Sequence, residues 1–350
     1  MADEKDLAQK LLAQRREAVP FHAPEREEGR ANHALYDTEG WTEAQLAELK
    51  DQGRPTTQVN STSKAIRNIA GRERMSRLRP KAKPLGAASV LKADALTRAL
   101  SWQWTTSQTK YAVSEAFETA SKGPLGAIEV VWDPTDPDRD PLQTNVVPWD
   151  EWYRDPLGKT LDGHDWRYML RCRIIDLDLA QDTYHEHKDL LENLAISARV
   201  IKDNEMSQIS ADYGNTEDGN SAPGSEGWAA DFDVERRRVK LWEHQWWEWE
   251  QGEFIEVAGG LDNILFDRKA PTPDMMEALM RSPGLVNKRR KCFYMAVMAG
   301  EHVIYKTKVT HRFQRLSTVP LWFEKDGKGR AYGLIRVIAA VQKALNVAQS

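Results

Sequence analysis

The sequence is short of cysteine, with two in 350 residues, and these two, Cys172 and Cys292, lie about 120 positions apart. That separation excludes a zinc knuckle and a disulfide framework and makes a reducing cytosol the expected setting. No apolar run approaches the eighteen or so residues that a bilayer-spanning helix needs, so transmembrane insertion is excluded. The opening MADEKDLAQKLLAQRREAV has no apolar stretch of the kind a secretory signal carries. A surplus of one charge is also missing, since 49 Lys and Arg face 53 Asp and Glu for a net −4. What is present, 41% hydrophobic and 29% charged residues, suits one large or two ordinary soluble domains with a real core. No internal repeat is found.

The balanced total conceals segregation. Residues 64 to 83 hold Lys64, Arg67, Arg72, Arg74, Arg77, Arg79, Lys81 and Lys83 against Glu73 alone, a local charge of +7. Residues 203 to 235 hold nine carboxylates and no base, with Gly214, Gly219, Gly224, Gly227 and Pro223 breaking any period. Such a stretch is expected to be a flexible loop or linker. Basic density returns from Arg281 to Arg315, where nine Lys or Arg accompany only Glu301.

Helix signals fill the first third. Thr42 to Gln45 fits a capping box, and Gly53 followed by Pro55 ends that helix. Residues 60 to 79 predict a basic helix. Residues 90 to 122 predict one long helix or a broken pair, stopped at Gly123-Pro124. The period then changes: GAIEVVW (126 to 132), TNVV (144 to 147) and WRYMLRCRII (166 to 175) read as strands, and residues 177 to 200 as helix. Beyond the acidic segment, residues 237 to 257 and 291 to 309 read as hairpins, the second turning at Ala299-Gly300-Glu301. Finally Leu334, Ile338, Val341, Leu345 and Ala348 follow a 4,3,4,3 spacing, which predicts an amphipathic helix from Tyr332 to Ser350, roughly 30 Å long. Its apolar stripe is expected to pack on another helix, with Arg336 and Lys343 toward solvent. The absence of a cap at its end suggests a chain cut within an element. The expected class is α+β: a helical N-terminal region, a mixed antiparallel sheet and a long C-terminal amphipathic helix.

Catalytic motifs fail one after another. LGKT (157 to 160) resembles a phosphate loop, yet the first glycine of that pattern is replaced by Arg154, so a surface turn after Asp155-Pro156 is preferred. His185 and His187 flank Glu186 at a spacing that points the two rings to different sides of a helix, which favours a solvated face over a metal site. Asp133, Asp136, Asp138 and Asp140 alternate with prolines in exposed turns and lack the central Gly and bidentate Glu of a calcium loop. No catalytic, cofactor or metal residue is assigned, and an enzyme is not expected.

Thirteen tryptophans are many, and Trp242, Trp246, Trp247 and Trp249 crowd into LWEHQWWEWE. Stacking on nucleic acid bases is one use of such a cluster. Because Glu243, Glu248 and Glu250 interleave it and carboxylates repel phosphates, a packed sheet face or subunit contact is preferred. On charge, the helix with Lys64, Arg67, Arg72, Arg74, Arg77 and Arg79 is the better candidate for contact with DNA or with another subunit.

GRPTTQVNSTSKAIRNIAGRERMSRLRPKAKP (53 to 84), with its Gly-x-Pro leading through an Asn into a basic helix, resembles the N-terminal region of portal proteins of tailed phages, especially short-tailed ones. Residues 126 to 176, with Pro-Trp-Asp and Asp-Pro turns, resemble that family's sheet. VKLWEHQWWEW (239 to 249) is similar to its next strand, and YGLIRVIAAVQKALNVAQS (332 to 350) to its Tyr-Gly-Leu-x-Arg helix. The resemblance implies a structural subunit of a ring, usually of twelve copies, at one capsid vertex. Viral DNA would pass through it during packaging and ejection, and the tail would be attached to it. It implies the large terminase subunit, capsid and tail adaptor proteins as partners, non-specific contact with double-stranded DNA, no membrane, no cofactor, and a place in the virion after assembly in the bacterial cytoplasm. Arg336 and Lys343, on the helix that would begin the stem, become candidates to face DNA or the channel.

On this basis the expected organisation is a helical arm (1–52), wing helices and first sheet (53–202), the acidic loop (203–235), the rest of the wing sheet (236–325) and the start of a stem helix (326–350). Two other classes stay open from the residues alone: a non-enzymatic DNA- or RNA-binding module using residues 64 to 83, and an unrecognised hydrolase.

Overall fold

The computed structural model describes residues 2–37, 41, 43–56, 60–77, 79–84, 90–132, 141–160, 162–209, 231–233, 235–255, 264–265, 276, 280, 285–309 and 316–349. They form two compact units, one of Gln9–Trp166 with Ser317–Ser350 and the other of Met1–Ala8 with Arg167–Leu316. Helices and antiparallel strands both contribute, so the class is α+β.

The chain opens with α1 (Ala2–Tyr36), which contains Pro20 and Pro24. Each proline removes a helical hydrogen bond at a cost of about 3 kcal/mol. The helix continues through them because a stripe of Leu11, Ala18, His22, Glu25 and Asn32 is buried. That stripe is largely polar, which is why apolar periodicity does not reveal it. After α2 (Glu43–Asp51) comes α3 (Ser61–Met75), shorter than the expected 60 to 79. It ends where Ser76 Oγ donates to the Arg72 carbonyl at 2.8 Å, and Pro80 lies just beyond. Residues 90 to 122 form a broken pair, α4 (Val90–Thr106) and α5 (Thr109–Lys122). At the break Ser107 Oγ donates to the Gln103 carbonyl at 2.6 Å, and Gln108 adopts φ +56.

Strands β1 (Gly126–Trp132) and β2 (Leu142–Val147) pair antiparallel, Ile128 opposite Val146, and α5 packs across them. Gly126 is required here, since a Cβ would lie 1.9 Å from the Ala116 carbonyl oxygen of α5. Short β3 (Trp152–Arg154) follows.

The second unit contains β4 (Tyr168–Asp176), α6 (Leu177–Thr183), a single 3₁₀ turn at His185–His187, α7 (Lys188–Ile209), β5 (Phe232–Asp233), β6 (Arg238–Ile255), β7 (Ile264–Leu265), β8 (Leu285–Ala299) and β9 (His302–Val309). Strands β4, β6, β8 and β9 lie side by side in that order, all antiparallel. The hairpin expected at 237 to 257 does not form. Strand β6 continues for 18 residues, about 60 Å, because β8 pairs with it from Leu241 to Ile255 and Gly252 sits in the ladder opposite Lys288. The turn at Gly300-Glu301 does join β8 to β9. Helices α6 and α7 cover one sheet face through Leu177, Ala180, Leu191, Leu194 and Ala198 against Val239, Leu241, Val297 and Ala299. Of the acidic segment, residues 203–209 continue α7, Asp231–Asp233 join the sheet, and residues 210–230 lie outside the described residues.

Returning to the first unit, β10 (Thr318–Leu321) pairs with β1, and β11 (Glu324–Lys325) pairs with β12 (Ala331–Tyr332). The last helix, α8, is Leu334–Gln349, 16 residues. The long C-terminal helix expected from Tyr332 is therefore not seen: the chain is still in β12 at Tyr332, and Gly333 separates strand from helix.

Candidate functional site

Asn60 fixes where the basic helix starts. Its side-chain oxygen accepts the Ser63 N–H at 2.8 Å, and its amide donates to the Tyr36 carbonyl at 2.6 Å, so the N-cap also ties α3 to the end of α1. Ile66 and Ala70 are buried, which turns Lys64, Arg67 and Arg72 outward. Arg74, also exposed, pairs with Glu118 of α5 at 2.7 Å, and Arg77 donates to Ser114 Oγ at 3.2 Å beside the Tyr111 ring. Arg79 lies beyond α3 in the extended stretch and is exposed. The six basic residues thus divide: Arg74 and Arg77 line a groove between α3 and α5, while Lys64, Arg67, Arg72 and Arg79 are exposed.

The tryptophans of β6 divide by strand alternation. Trp242 and Trp246 are buried, Trp242 donating to Asp231 at 3.3 Å and Trp246 stacking on Tyr294 at 5.6 Å. Glu248 accepts from Trp246 Nε1, and Glu250 pairs with Lys308, so both carboxylates share that face. Trp247 and Trp249 lie on the opposite face, edge to face at 5.7 Å, with the Lys291 ammonium 4.0 Å from the Trp247 ring centre. Trp249 is 53% exposed. Glu248 and Glu250 therefore lie on the face of the buried tryptophans, whereas strand alternation puts Glu243 on the face of Trp247 and Trp249.

The Tyr-Gly-Leu-x-Arg stretch is a junction. At Gly333 a Cβ would stand 2.5 to 2.9 Å from the carbonyl oxygens of Gly123, Ser121 and Ala120, so only glycine lets the chain pass this close to the end of α5. Arg336 is bound by Glu28 of α1, lies 3.5 Å from Asp326, and stacks 4.2 Å from the Tyr332 ring centre. It does not stand out into solvent, whereas Lys343 is exposed. The buried face of α8 is also not the expected one. Ile335, Gln342 and Asn346 are buried, while Val341, at the centre of the expected stripe, is 67% exposed. Burial of the two amides is compensated: Gln342 accepts the Ser61 N–H at 3.0 Å and donates to Asn346 at 2.9 Å.

A second junction was missed entirely in the sequence. Arg154 of β3, 1% exposed, donates to Glu25 at 2.9 Å and to the Gly329 carbonyl at 3.0 Å. Glu25 is bonded to His22 at 2.7 Å and receives the Ala331 N–H at 3.3 Å. Burial pushes the Glu25 carboxyl up, but the His22 hydrogen bond, the His22 and Arg154 charges and the Ala331 N–H outweigh it, leaving its pKa lowered. This knot joins α1, β3 and the β11–β12 hairpin.

LGKT is a surface turn in which Asp165 accepts the N–H groups of Lys159 at 2.6 Å and of Thr160 at 3.1 Å. His185 and His187 lie in the 3₁₀ turn, and Asp133 to Asp140 lie outside the described residues. Among the described residues no cluster of His, Cys, Asp and Glu could hold a metal, and no helix is long and apolar enough to cross a membrane.

The motif residues Asn60, Gly333 and Arg336 thus act as structural ties between elements of the first unit. The sequence model described as Phage P22-like portal protein matches residues 12–350. The chain belongs to the P22-like phage portal protein family. No curated protein matches it. Portal proteins are structural components of the phage particle, which agrees with the resemblance carried by residues 53 to 84 and 332 to 350. The match also includes residues 12–36 of α1, which hold Glu25 and Glu28 and whose mixed stripe gave no signal in the sequence.

Proposed function

We propose that this chain is the portal subunit that forms a ring at one capsid vertex, through which double-stranded DNA enters during packaging and leaves during ejection, and on which the tail is built. The observation that carries this reading is the family match across residues 12–350. A ring of twelve copies, docking of the large terminase subunit, and contact with capsid and tail adaptor proteins belong to the same proposal. A sliding duplex needs few, sequence-independent charges, which suits a chain of net −4. The exposed Lys64, Arg67, Arg72 and Arg79 are then contacts to DNA or to a neighbouring subunit, and Lys343 is left to an intermolecular contact. Negative-stain imaging of the purified protein tests the reading: closed rings with a central opening support it, and dispersed single chains at all concentrations contradict it.

A second reading, a nucleic-acid-binding module, is favoured by the outward face of α3. It requires single chains to bind short DNA with a steep salt dependence that Lys64→Ala and Arg67→Ala reduce.

A further inference from the structure

Helices α3 and α5 both belong to the first unit and leave a groove of about 580 Å³ between them. One wall is the stripe of α5 that runs from Tyr111 to Lys122, about 16 Å along the helix. The other is the end of α3 and the residues just after it, which supply Arg74 and Arg77. Positive charge is in surplus at two points. Glu118 alone receives both Arg74 and Lys122, each at 2.7 Å. One turn away, Arg77 donates Nε to Ser114 Oγ at 3.2 Å, lies 5.2 Å from the Tyr111 ring centre, and has no carboxylate partner among the described residues. Its terminal nitrogens are left for a forked contact with an anion. Arg74 is half exposed, and a pair as open as Arg74 with Glu118 contributes little, so this arginine turns to a new carboxylate at small cost.

We propose that this groove binds an acidic peptide segment of a separate partner protein, in extended form, with carboxylates at alternate positions. Ser114 and Glu118 are four residues apart on α5, about 6 Å along its axis, and side chains two apart on an extended chain point the same way about 6.6 Å apart. One carboxylate then takes the Arg77 fork and the next takes the cations Arg74 and Lys122. An apolar side chain two positions earlier lies on the Tyr111 ring, which is 54% exposed. The lining also argues against a DNA duplex. Glu115, exposed between the two cationic points, and Glu118 repel phosphates, and a phosphodiester backbone has no donors to offer them. Peptide N–H groups are donors that both carboxylates accept. The site lies within one chain and stands whether or not copies close into a ring.

The test is fluorescence anisotropy of the labelled peptide Gly-Phe-Ser-Asp-Ser-Asp-Gly titrated with the full chain. Saturable binding is expected, weakened about tenfold or more when both Asp are replaced by Asn, and by a similar factor in Arg74→Ala and in Arg77→Ala. Lys64→Ala with Arg67→Ala, outside the groove, should leave it unchanged. The double variant Arg74→Glu with Arg77→Glu should take the peptide with Lys at both Asp positions, which a chain that had failed to fold would not do. Equal binding of the Asp and Asn peptides, or no loss in either arginine variant, overturns the inference. Two further arms address other anions. A short DNA duplex that displaces the peptide and whose own binding is lost in Arg74→Ala and Arg77→Ala would make the groove a nucleic-acid contact. Tighter peptide binding once the carboxylates of residues 203 to 235 are changed to amides would make the occupant this chain's own acidic segment. Either result overturns the assignment to a separate partner.

Discussion

The guanidinium of Arg154 meets the carboxylate of Glu25 at 2.9 Å with both side chains almost completely buried, 129 residues apart in sequence. A buried pair of this kind costs much to form, yet breaking it leaves one uncompensated charge. Arg154→Met should therefore destabilise the protein by about 3 to 5 kcal/mol, measured by denaturant unfolding, and adding Glu25→Leu should recover part of that loss. An Arg154→Met protein as stable as the parent would show that the knot contributes nothing.

Acid should act on this knot in a defined window. The Glu25 carboxyl titrates below its ordinary 4.5 in the folded chain, so its contribution is full above that value and is lost as pH falls through the lower folded-state value. Glu25→Gln should flatten the stability curve between pH 5 and the acid limit, as followed by urea midpoints at stepped pH.

His33 should act at higher pH. It is stacked on Trp149 at 5.3 Å, and its pKa is lowered by burial and by the nearby Lys122 charge, against Asp37 and Asp150. Stability from keeping this ring neutral is complete above its ordinary 6.5 and declines as pH falls below it. His33→Phe keeps the stack and cannot protonate, so its stability should no longer decline between pH 7 and 5.5; an unchanged slope would show that His33 is not the titrating group.

The tryptophans of β6 should separate by face. Trp246→Ala should cost on the order of 3 to 5 kcal/mol, whereas Trp249→Ala should stay within about 0.5 kcal/mol. Thermal unfolding of the two variants gives the comparison, and equal losses would place both side chains in the core.

Gly333→Ala tests the junction at the start of α8. With three carbonyl oxygens inside 3 Å of the added methyl, β12 or α5 must shift. A loss of about 2 kcal/mol or more is expected, and a neutral substitution would mean that the close approach relaxes freely.

Much of the fold was legible because local chemistry dictates it. The bounds of β1, the stop at Gly123-Pro124 and the turn at Gly300 follow from strand alternation, a missing donor and a permissive residue. Periodicity misled at α8, where Gln342 and Asn346 are buried because Ser61 and each other satisfy them, and a count of apolar positions has no term for that. It also missed the α1 stripe, whose His22, Glu25 and Asn32 read as surface residues. The composition of residues 237 to 257 suggests a hairpin, but pairing with β8 decides the course of β6. The family resemblance was legible in the Asn before the basic helix and in Tyr-Gly-Leu-x-Arg, and the structure gives each a physical reason in the Asn60 cap, the Gly333 approach and the Arg336 ties.

The claim that this chain works as one subunit of a ring is tested most directly by native mass spectrometry of the purified protein across a range of concentrations. The account predicts a single closed stoichiometry, twelve copies by family resemblance, that persists on dilution. A monomer at every concentration would contradict the account.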